Sequence, residues 1–276
     1  MSYADIRFME NCRDILENGV WDTDLEGRPS WDDGTPAHTV KKFGIVNRYD
    51  LQEEFPILTI RRTYWKTAVK ELLWIWQKKS NNTHDLDAKI WDQWADETGS
   101  IGKAYGYQLG VKHHYPEGDM DQVDRVLYDL RNNPASRRIK TNIYNFQDLH
   151  EMHLYPCAYS MTFNVSGNVL NAILNQRSQD MITANGWNCC QYAMLTCALA
   201  AVSGYEPGEF VHVIANAHIY DRHIELAEEL ITNQPYDAPK LWIDPSVTDF
   251  YAFTKNSFRL DGYQYSPFDH KIPVAI

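Results

Sequence analysis

The chain has 276 residues, 44% of them hydrophobic and 13% aromatic, which is ample for a large buried core. Its formal net charge of -11 excludes a general affinity for nucleic acid or for an anionic membrane, so local arginines would have to bind any anionic ligand. The five cysteines are an odd number without C-x-x-C spacing, which favours a reducing compartment over a disulfide framework and indicates no metal site.

The hydrophobic periodicity divides the chain into helices and strands. Asn132-Asn133-Pro134 ends one predicted helix, and Ser166-Gly167-Asn168 turns two predicted strands into a hairpin. In chain order, we predict a strand at 39–48, helices at 65–77 and 123–130, strands at 139–145, 158–165 and 169–175, a buried helix at 187–202, a strand at 211–214 and an amphipathic helix at 220–231.

This order of elements also predicts the fold class. Helices and strands are mixed without a regular βαβ rhythm, which indicates an α+β protein with a large mixed β-sheet flanked by helices. No linker, repeat or low-complexity tract interrupts the chain, so we expect a single catalytic domain spanning 1–276. The first residues lack the basic and apolar regions of a signal peptide, and no apolar run approaches the length of a membrane span, so we expect a cytoplasmic protein.

Cys157 is the candidate nucleophile. It ends the segment Leu154-Tyr155-Pro156-Cys157, and Gln176-Arg177-Ser178-Gln179-Asp180 follows on the next predicted strand. A thiol beside a fixed guanidinium can have a lowered pKa and exist as the nucleophilic thiolate, while the same guanidinium can bind a phosphate or carboxylate. A lone cysteine is more often a small buried hydrophobe, but the cluster of polar residues at 176–180 favours the functional interpretation.

Glu71 is the candidate group for proton transfer. It lies on the apolar helix predicted at 65–77, where burial of a carboxylate is unfavourable unless the group is paired. The alternative is a surface glutamate that pairs with Lys66 or Lys70. Trp91 and Trp94, three residues apart, would ordinarily be core aromatics on one face of a helix, and His218 and Tyr220 would point to the same side of an extended segment.

Motifs in a characteristic order resemble those of the thymidylate synthase family over nearly the whole chain, and are most similar to a divergent branch found in some bacilli and their phages. They are Arg28, Glu71-Leu72-Leu73-Trp74, Ile90-Trp91-Asp92-Gln93-Trp94-Ala95, Ala104-Tyr105-Gly106, Ser136-Arg137-Arg138, Leu154 to Cys157, Gln176 to Asp180, Asn188, His218-Ile219-Tyr220 and Pro273-Val274-Ala275-Ile276.

The resemblance implies reductive methylation of dUMP to dTMP. The thiolate would add to C6 of the pyrimidine, and 5,10-methylenetetrahydrofolate would supply both carbon and hydride, without a metal. It also implies a homodimer that forms through the sheet and exchanges arginines across the interface, with no membrane or specific nucleic acid as partner. Two alternatives are a hydroxymethyltransferase acting on dUMP or dCMP and a non-catalytic relative that binds nucleotide or RNA.

The resemblance further implies a role for each motif residue. The catalytic residues would be Cys157, Glu71, Tyr105 and Asp180. The dUMP-binding residues would be Arg28, Arg177, Ser178, Gln176, Asn188, His218 and Tyr220, together with Arg137 and Arg138 of the opposite subunit. The folate-binding residues would be Trp91, Trp94, Leu154, Asp180, Ala184, Trp187, Ala275 and Ile276.

Three segments depart from the commonest form of the family. Ala158 follows the cysteine where histidine is frequent, and Ile214-Ala215-Asn216 replaces Gly-Gly-Asp. On the folate face, Thr183-Ala184-Asn185-Gly186-Trp187 replaces a Leu-Gly-Leu-Pro-Phe-like loop. The last of these departures is the one that bears on the folate contacts.

Overall fold

A seven-stranded mixed β-sheet organises the chain in this computed structural model, which describes residues 1–23 and 29–276. The strands of this sheet and of two small two-stranded sheets are β1 Val20–Trp21, β2 Thr39–Asp50, β3 His113–Tyr115, β4 Gly118–Met120, β5 Lys140–Asn142, β6 Ala158–Ser166, β7 Val169–Gln176, β8 Gln179–Asp180, β9 Glu206–Tyr220, β10 Lys240–Ile243 and β11 Phe258–Asp261. The α-helices are α1 Tyr3–Asn18, α2 Trp65–Leu72, α3 Gly106–Gly110, α4 Gln122–Asn132, α5 Asn185–Ser203 and α6 Ile224–Leu230.

Shorter helical turns continue or connect these elements. A π-helical turn, Leu73–Gln77, prolongs α2, so the helix predicted at 65–77 is present with a change of pitch in its second half. The 3-10 turns are Thr83–Asp85, Asp92–Trp94, Leu149–Glu151, Asp221–His223, Phe250–Ala252 and Lys255–Ser257. No helix in the ranges 1–23 and 29–276 is both long enough and apolar enough to cross a lipid bilayer.

The long strand β9 joins the two halves of the large sheet. The strand order is β1-β2-β9-β7-β6-β5, and β8 also pairs with β9. Strand β9 runs antiparallel to β2 but parallel to β7 and β8, while β6 and β7 form an antiparallel hairpin. The predicted α+β class with a large mixed sheet flanked by helices is therefore confirmed.

Three predicted elements have bounds that differ clearly from the prediction. The sequence indicated a strand only at 211–214, yet pairing with β2, β7 and β8 extends β9 over Glu206–Tyr220. The helix predicted at 220–231 begins only at Ile224, since Tyr220 ends β9 and the turn Asp221–His223 intervenes. Strand β5 is also shorter than predicted.

Helix α5 packs between α2 and the inner face of the sheet. The buried side chains of α5 surround the helix on all sides, which explains the uninterrupted apolar run in its sequence. Inner residues of the sheet such as Phe163, Leu174 and Phe210 belong to the same core. The first turns of α5 are thereby held beside α2, and this contact positions the side chains discussed below.

Gly186, in the first turn of α5, permits this close packing. A Cβ atom at Gly186 would lie 2.6 Å from Leu58 Cδ1 and 2.9 Å from Leu58 Cγ. We expect Gly186→Ala to lower the free energy of unfolding by about 1–3 kcal/mol, because Leu58 or the helix must shift. Chemical denaturation of the variant and the wild type measures this difference.

The clash also predicts that the effects of substitutions at Gly186 and Leu58 on stability are coupled. The double variant Gly186→Ala/Leu58→Ala should lose less stability than the sum of the two single variants, because Leu58→Ala removes the atoms that collide with the added methyl group. Strictly additive losses would contradict this account of Gly186.

Candidate active site

A cavity of about 720 Å³ collects most of the residues identified in the sequence. Predicted site residues that line it are Glu71, Trp91, Trp94, Tyr105, Leu154, Cys157, Gln176, Ser178, Asp180, Ala184, Trp187, Asn188, His218, Tyr220 and Ala275. Lining residues to which the sequence analysis gave no individual role are Lys89, Ile90, Asp92, Gln93, Thr183 and Val274.

The sheet topology explains why these distant residues meet. Cys157 immediately precedes β6, and Ala158 pairs in register with Gln176 at the end of β7. Strand β8 carries Asp180, which pairs with His218 near the end of β9. Because β7, β8 and β9 run parallel, their carboxyl ends lie at the same edge of the sheet as the start of β6.

The thiol of Cys157 lies beside the guanidinium of Arg177. Arg177 Nη2 is 3.7 Å from Cys157 Sγ, and the guanidinium is fixed by donating to the carbonyl oxygens of Pro156 at 2.9 Å and Tyr155 at 2.7 Å. The backbone N–H of Cys157 donates to the Tyr105 hydroxyl at 3.3 Å. The predicted pairing of thiol and guanidinium is therefore present.

The expected lowering of the thiol pKa was wrong for this chain on its own. Burial raises the pKa of Cys157 above its ordinary value, and the charge of Arg177 lowers it only in part. One guanidinium that is already bonded to two backbone carbonyls does not outweigh the loss of solvent around the sulfur. Further positive charge, brought by other residues, is needed to favour the thiolate.

Glu71 is a buried carboxylate whose partners are all hydrogen-bond donors. It is 6% exposed, and it accepts hydrogen bonds from Trp91 Nε1, Trp187 Nε1 and Gln191 Nε2, each at 2.6 Å. Burial raises the pKa of Glu71, and the three bonds lower it in part. The alternative of a surface pair with lysine is excluded for Lys70, whose ammonium group binds Asp87 at 2.7 Å.

Asp180 organises the loop that precedes α5. Its carboxylate accepts from the N–H groups of Ile182 at 2.8 Å and Thr183 at 3.0 Å. Burial acts to raise the pKa of Asp180, but His223, His218 and the bond from Thr183 together lower it below its ordinary value. Asp180 is therefore an ionised residue, even though it is enclosed by the protein.

His218 is held in its neutral form beside the cavity. Burial lowers the pKa of His218, and this effect exceeds the opposing influence of Asp180. The ring of His218 packs edge-on against Tyr220, with the ring centroids 5.2 Å apart. Both residues extend from β9 toward the cavity, as the two-residue spacing predicted.

The backbone carbonyl of Ser178 determines, through Gln176, which atom of the Asn188 side-chain amide acts as the acceptor. Gln176 Nε2 donates to the carbonyl oxygen of Ser178 at 3.0 Å, and the same nitrogen donates to Asn188 Oδ1 at 3.1 Å. A carbonyl can only accept, so the amide group of Gln176 has one possible orientation, and its oxygen faces His212 Nε2 at 2.8 Å. Because Oδ1 of Asn188 is used in this way, the amide nitrogen is left to face other partners.

The C-terminal residues close one side of the cavity. The carbonyl oxygen of Pro273 lies 2.8 Å from His223 Nε2, and Ile276 exchanges two backbone hydrogen bonds with Ser30 at 3.0 and 2.7 Å. Val274 and Ala275 line the cavity, whereas Ile276 is not among its lining residues. The terminal tetrapeptide is thus anchored at both of its ends.

Two predicted arginines, Arg137 and Arg138, are not brought into this cavity. They line a separate cleft together with Glu117 and Arg125. Arg28 lies outside the described residues. The proposed contribution of Arg137 and Arg138 from a partner subunit stays a prediction.

Gln191 is a site residue that the sequence analysis missed. Its amide donates to Glu71, and it is buried in the middle of the apolar helix α5. The available signal was a glutamine within a run of apolar residues, four positions after Trp187 and so on the same helical face.

A thiol and a buried carboxylate that line one cavity, with a guanidinium beside the thiol, are the groups of an enzyme that acts by nucleophilic catalysis on an anionic substrate. The family model for thymidylate synthase matches residues 6–276 of the chain. The thymidylate synthase of Bacillus subtilis subsp. natto is 44% identical over 270 residues, which are 96% of this chain and 96% of that protein. That of Bacillus phage phi3T is 43% identical over 270 residues, with the same coverage of both proteins.

The three-dimensional structure is also similar to that of a solved protein. The thermostable thymidylate synthase A from Bacillus subtilis matches with a TM-score of 0.95 at 41% identity, over 100% of both chains. The chain belongs to the thymidylate synthase family. The predicted resemblance to proteins of bacilli and their phages is confirmed, and so is the predicted activity, a methyltransferase that forms dTMP from dUMP with methylenetetrahydrofolate as co-substrate. The hydroxymethyltransferase alternative is not favoured.

The raised pKa of the thiol gives a prediction on reactivity. Alkylation of Cys157 by iodoacetamide should accelerate with rising pH as the thiolate forms, and burial and the charge of Arg177 act on the thiol pKa in opposite directions. Arg177→Met should move this pKa higher, since it removes the positive charge beside the sulfur. Rates for the peptide that contains Cys157 are measured by mass spectrometry, and the other four cysteines should not react because they are buried.

Arg259→Met is the matched control. Arg259 pairs with the exposed Asp261 in β11 and does not line the cavity, so its loss should leave the alkylation profile unchanged. An unchanged or lowered thiol pKa in Arg177→Met would refute the electrostatic role of Arg177.

Proposed function

We propose that Cys157 is the nucleophile of the methyl transfer and that the residues lining its cavity bind the two substrates. The observation that carries this proposal is the juxtaposition of the Cys157 thiol, the Arg177 guanidinium and the buried Glu71 carboxylate around one cavity. Addition of the thiolate to C6 of dUMP makes C5 a nucleophilic carbon, and the same thiolate leaves when the product forms.

The folate fits the aromatic side of the cavity. Trp91, Trp94 and Trp187 line it together with Leu154 and Val274, and they form an apolar wall suited to a flat heterocycle. The bound folate supplies the carbon and the hydride. Trp91 is 6% exposed and belongs to the core cluster, so its ring is positioned to keep water away from the reacting carbon.

Glu71 and Tyr105 are proposed to handle protons. The carboxylate of Glu71 reaches the cavity from α2, and burial keeps its pKa above that of an exposed glutamate, which suits a group that both takes up and releases a proton. The hydroxyl of Tyr105 receives the backbone N–H of Cys157 and therefore retains its own proton for donation. We propose that this hydroxyl takes part in the water network that removes the proton from C5 of the pyrimidine.

Asn188 is proposed to read the base. Because its Oδ1 is bonded to Gln176, the side chain presents N–H donors, which match the O4 acceptor of uracil and oppose the amino group of cytosine. Acceptance from uracil N3–H would require Oδ1 to share its lone pairs with Gln176. His218 and Tyr220, on the same edge, are proposed to bind the ribose hydroxyl group.

The phosphate group calls for more positive charge than the described residues of one chain bring to the cavity. Among the described residues, the cavity wall has one lysine, Lys89, and no arginine, while Arg177 lies behind the thiol. We propose that Arg177 and Ser178 bind the phosphate together with Arg28 and with Arg137 and Arg138 of a second subunit. Added cations would also lower the pKa of the Cys157 thiol, which burial raises.

The outer face of the sheet supports a homodimer. Val46 pairs with Val213, and Ile173 pairs with Val211, so that an apolar strip crosses β2, β9 and β7 on the face opposite the core. Val46 is 46% exposed and Ile173 is 39% exposed in the single chain. A second copy that covers this strip would bury it.

The free state of the cysteines supports a cytoplasmic location.

A covalent trap tests the chemistry. With 5-fluoro-dUMP and methylenetetrahydrofolate, Cys157 should form a stable adduct, because fluorine at C5 cannot leave as a proton. Mass spectrometry of the intact protein and of its peptides identifies the modified residue. Cys157→Ser should lose both the adduct and dTMP formation, whereas Cys197→Ser, at a buried position outside the cavity, should retain both. An adduct on another cysteine would show that the nucleophile has been wrongly assigned.

Mixed dimers test the exchange of arginines. Arg137→Ala and Cys157→Ala should each be nearly inactive, yet the two variants refolded together should regain activity, because one site of the heterodimer then has both native residues. Dihydrofolate absorbance measures turnover, and differently tagged subunits verify that heterodimers form. If verified heterodimers are no more active than the parents, Arg137 does not serve the partner's site.

A further inference from the structure

The three donors to Glu71 are distributed unequally between its two oxygens. Oε2 accepts from both Trp187 Nε1 and Gln191 Nε2, while Oε1 accepts from Trp91 Nε1, with all three distances at 2.6 Å. A carboxylate oxygen has two lone-pair directions, so Oε2 is saturated and Oε1 keeps one free. Indole N–H groups can only donate, and neither tryptophan can adapt to a proton on the oxygen that it faces.

The side-chain amide of Gln191 likewise cannot turn its oxygen toward Glu71 and become an acceptor. Its Nε2 also donates to the carbonyl oxygen of Ala68 at 3.2 Å, so the two N–H groups face two acceptors. Gln191 is 3% exposed, and Trp187 lies one helical turn earlier on the same face of α5. The two side chains thus form a rigid pair of donors directed from α5 at the carboxylate on α2.

We propose that Trp187 and Gln191 are positioning residues that keep Oε2 of Glu71 free of protons and direct proton exchange through Oε1. This inference rests on the proposed role of Glu71 in proton transfer. It gives Trp187 a second task beside its place in the cavity wall, and it assigns a function to Gln191. The proton that Glu71 takes up during turnover binds the remaining lone pair of Oε1 and leaves from there.

The surroundings of Glu71 leave these donors as the groups that oppose the effect of burial on its pKa. The neighbouring titratable groups are Tyr105, Tyr192 and Cys190, and burial raises the pKa of each, so all three are neutral. The charged side chains of the cavity wall are Lys89, Asp92 and Asp180, and none of them is hydrogen-bonded to Glu71. Burial raises the pKa of Glu71, and the three N–H groups oppose it.

Two substitutions remove the donors with little change of shape. Trp187→Phe keeps an aromatic ring without an N–H, and Gln191→Met keeps the length of the side chain without an amide. Each should raise the pKa of Glu71 by about one to two pH units, because a hydrogen bond to the ionised form is lost. The limb of the pH profile of kcat that belongs to Glu71 should move to higher pH by the same amount.

The direct measurement is infrared titration of the enzyme without substrates. The carbonyl band of protonated Glu71 is assigned by its loss in Glu71→Gln, and its intensity is followed with pH in the wild type and the two variants. Gln77→Met is the matched control, since Gln77 donates to the carbonyl oxygens of Phe250 and Phe253 and not to Glu71. Thermal unfolding verifies that each variant is folded.

The outcomes separate this inference from the proposed function. An upward shift in Trp187→Phe and Gln191→Met, but not in Gln77→Met, supports the inference, even if the wild type made no dTMP. An unchanged pKa of Glu71 in both folded variants overturns it, even if dTMP formation is normal. If Trp187→Phe does not fold, Gln191→Met decides the result by the same criterion.

Discussion

The buried carboxylate of Glu71 is the interaction on which the site depends. It joins α2, from which it extends, to α5 through Trp187 and Gln191 and to the turn at 92–94 through Trp91. Removal of a carboxylate from water is unfavourable unless several donors replace the solvent, so the three segments must meet for the fold to form around it. The same contacts that satisfy the charge therefore assemble one wall of the cavity.

Two ionisable groups that line the cavity, Asp180 and Cys157, respond differently to burial. Asp180 stays ionised because histidines and backbone N–H groups oppose the effect of burial, whereas Cys157 has one guanidinium neighbour and a raised pKa. Among the described residues, the wall of this cavity has one lysine and no arginine. The arginines proposed to bind the phosphate, at 28, at 177 and from a second subunit, would also favour formation of the thiolate.

The convergence of strand ends decides which residues become neighbours. Strand β9 pairs with three other strands, and its last residues lie beside β8 and near the start of β6. Small and polar residues within β9 conceal its length in the sequence, because cross-strand pairing, and not local alternation, extends it from 206 to 220. For the same reason, the helix predicted to begin at 220 begins later.

By itself the sequence determined the fold class, most of the helices and strands, the candidate nucleophile and the family, because periodicity is local and the motifs are specific in their order. Only the tertiary structure decided that Glu71 meets Trp91, Trp187 and Gln191, since these residues are far apart in the chain and helix packing brings them together. The raised pKa of Cys157 likewise could not be predicted, because burial is a property of the folded chain, and in this site it outweighs the adjacent arginine.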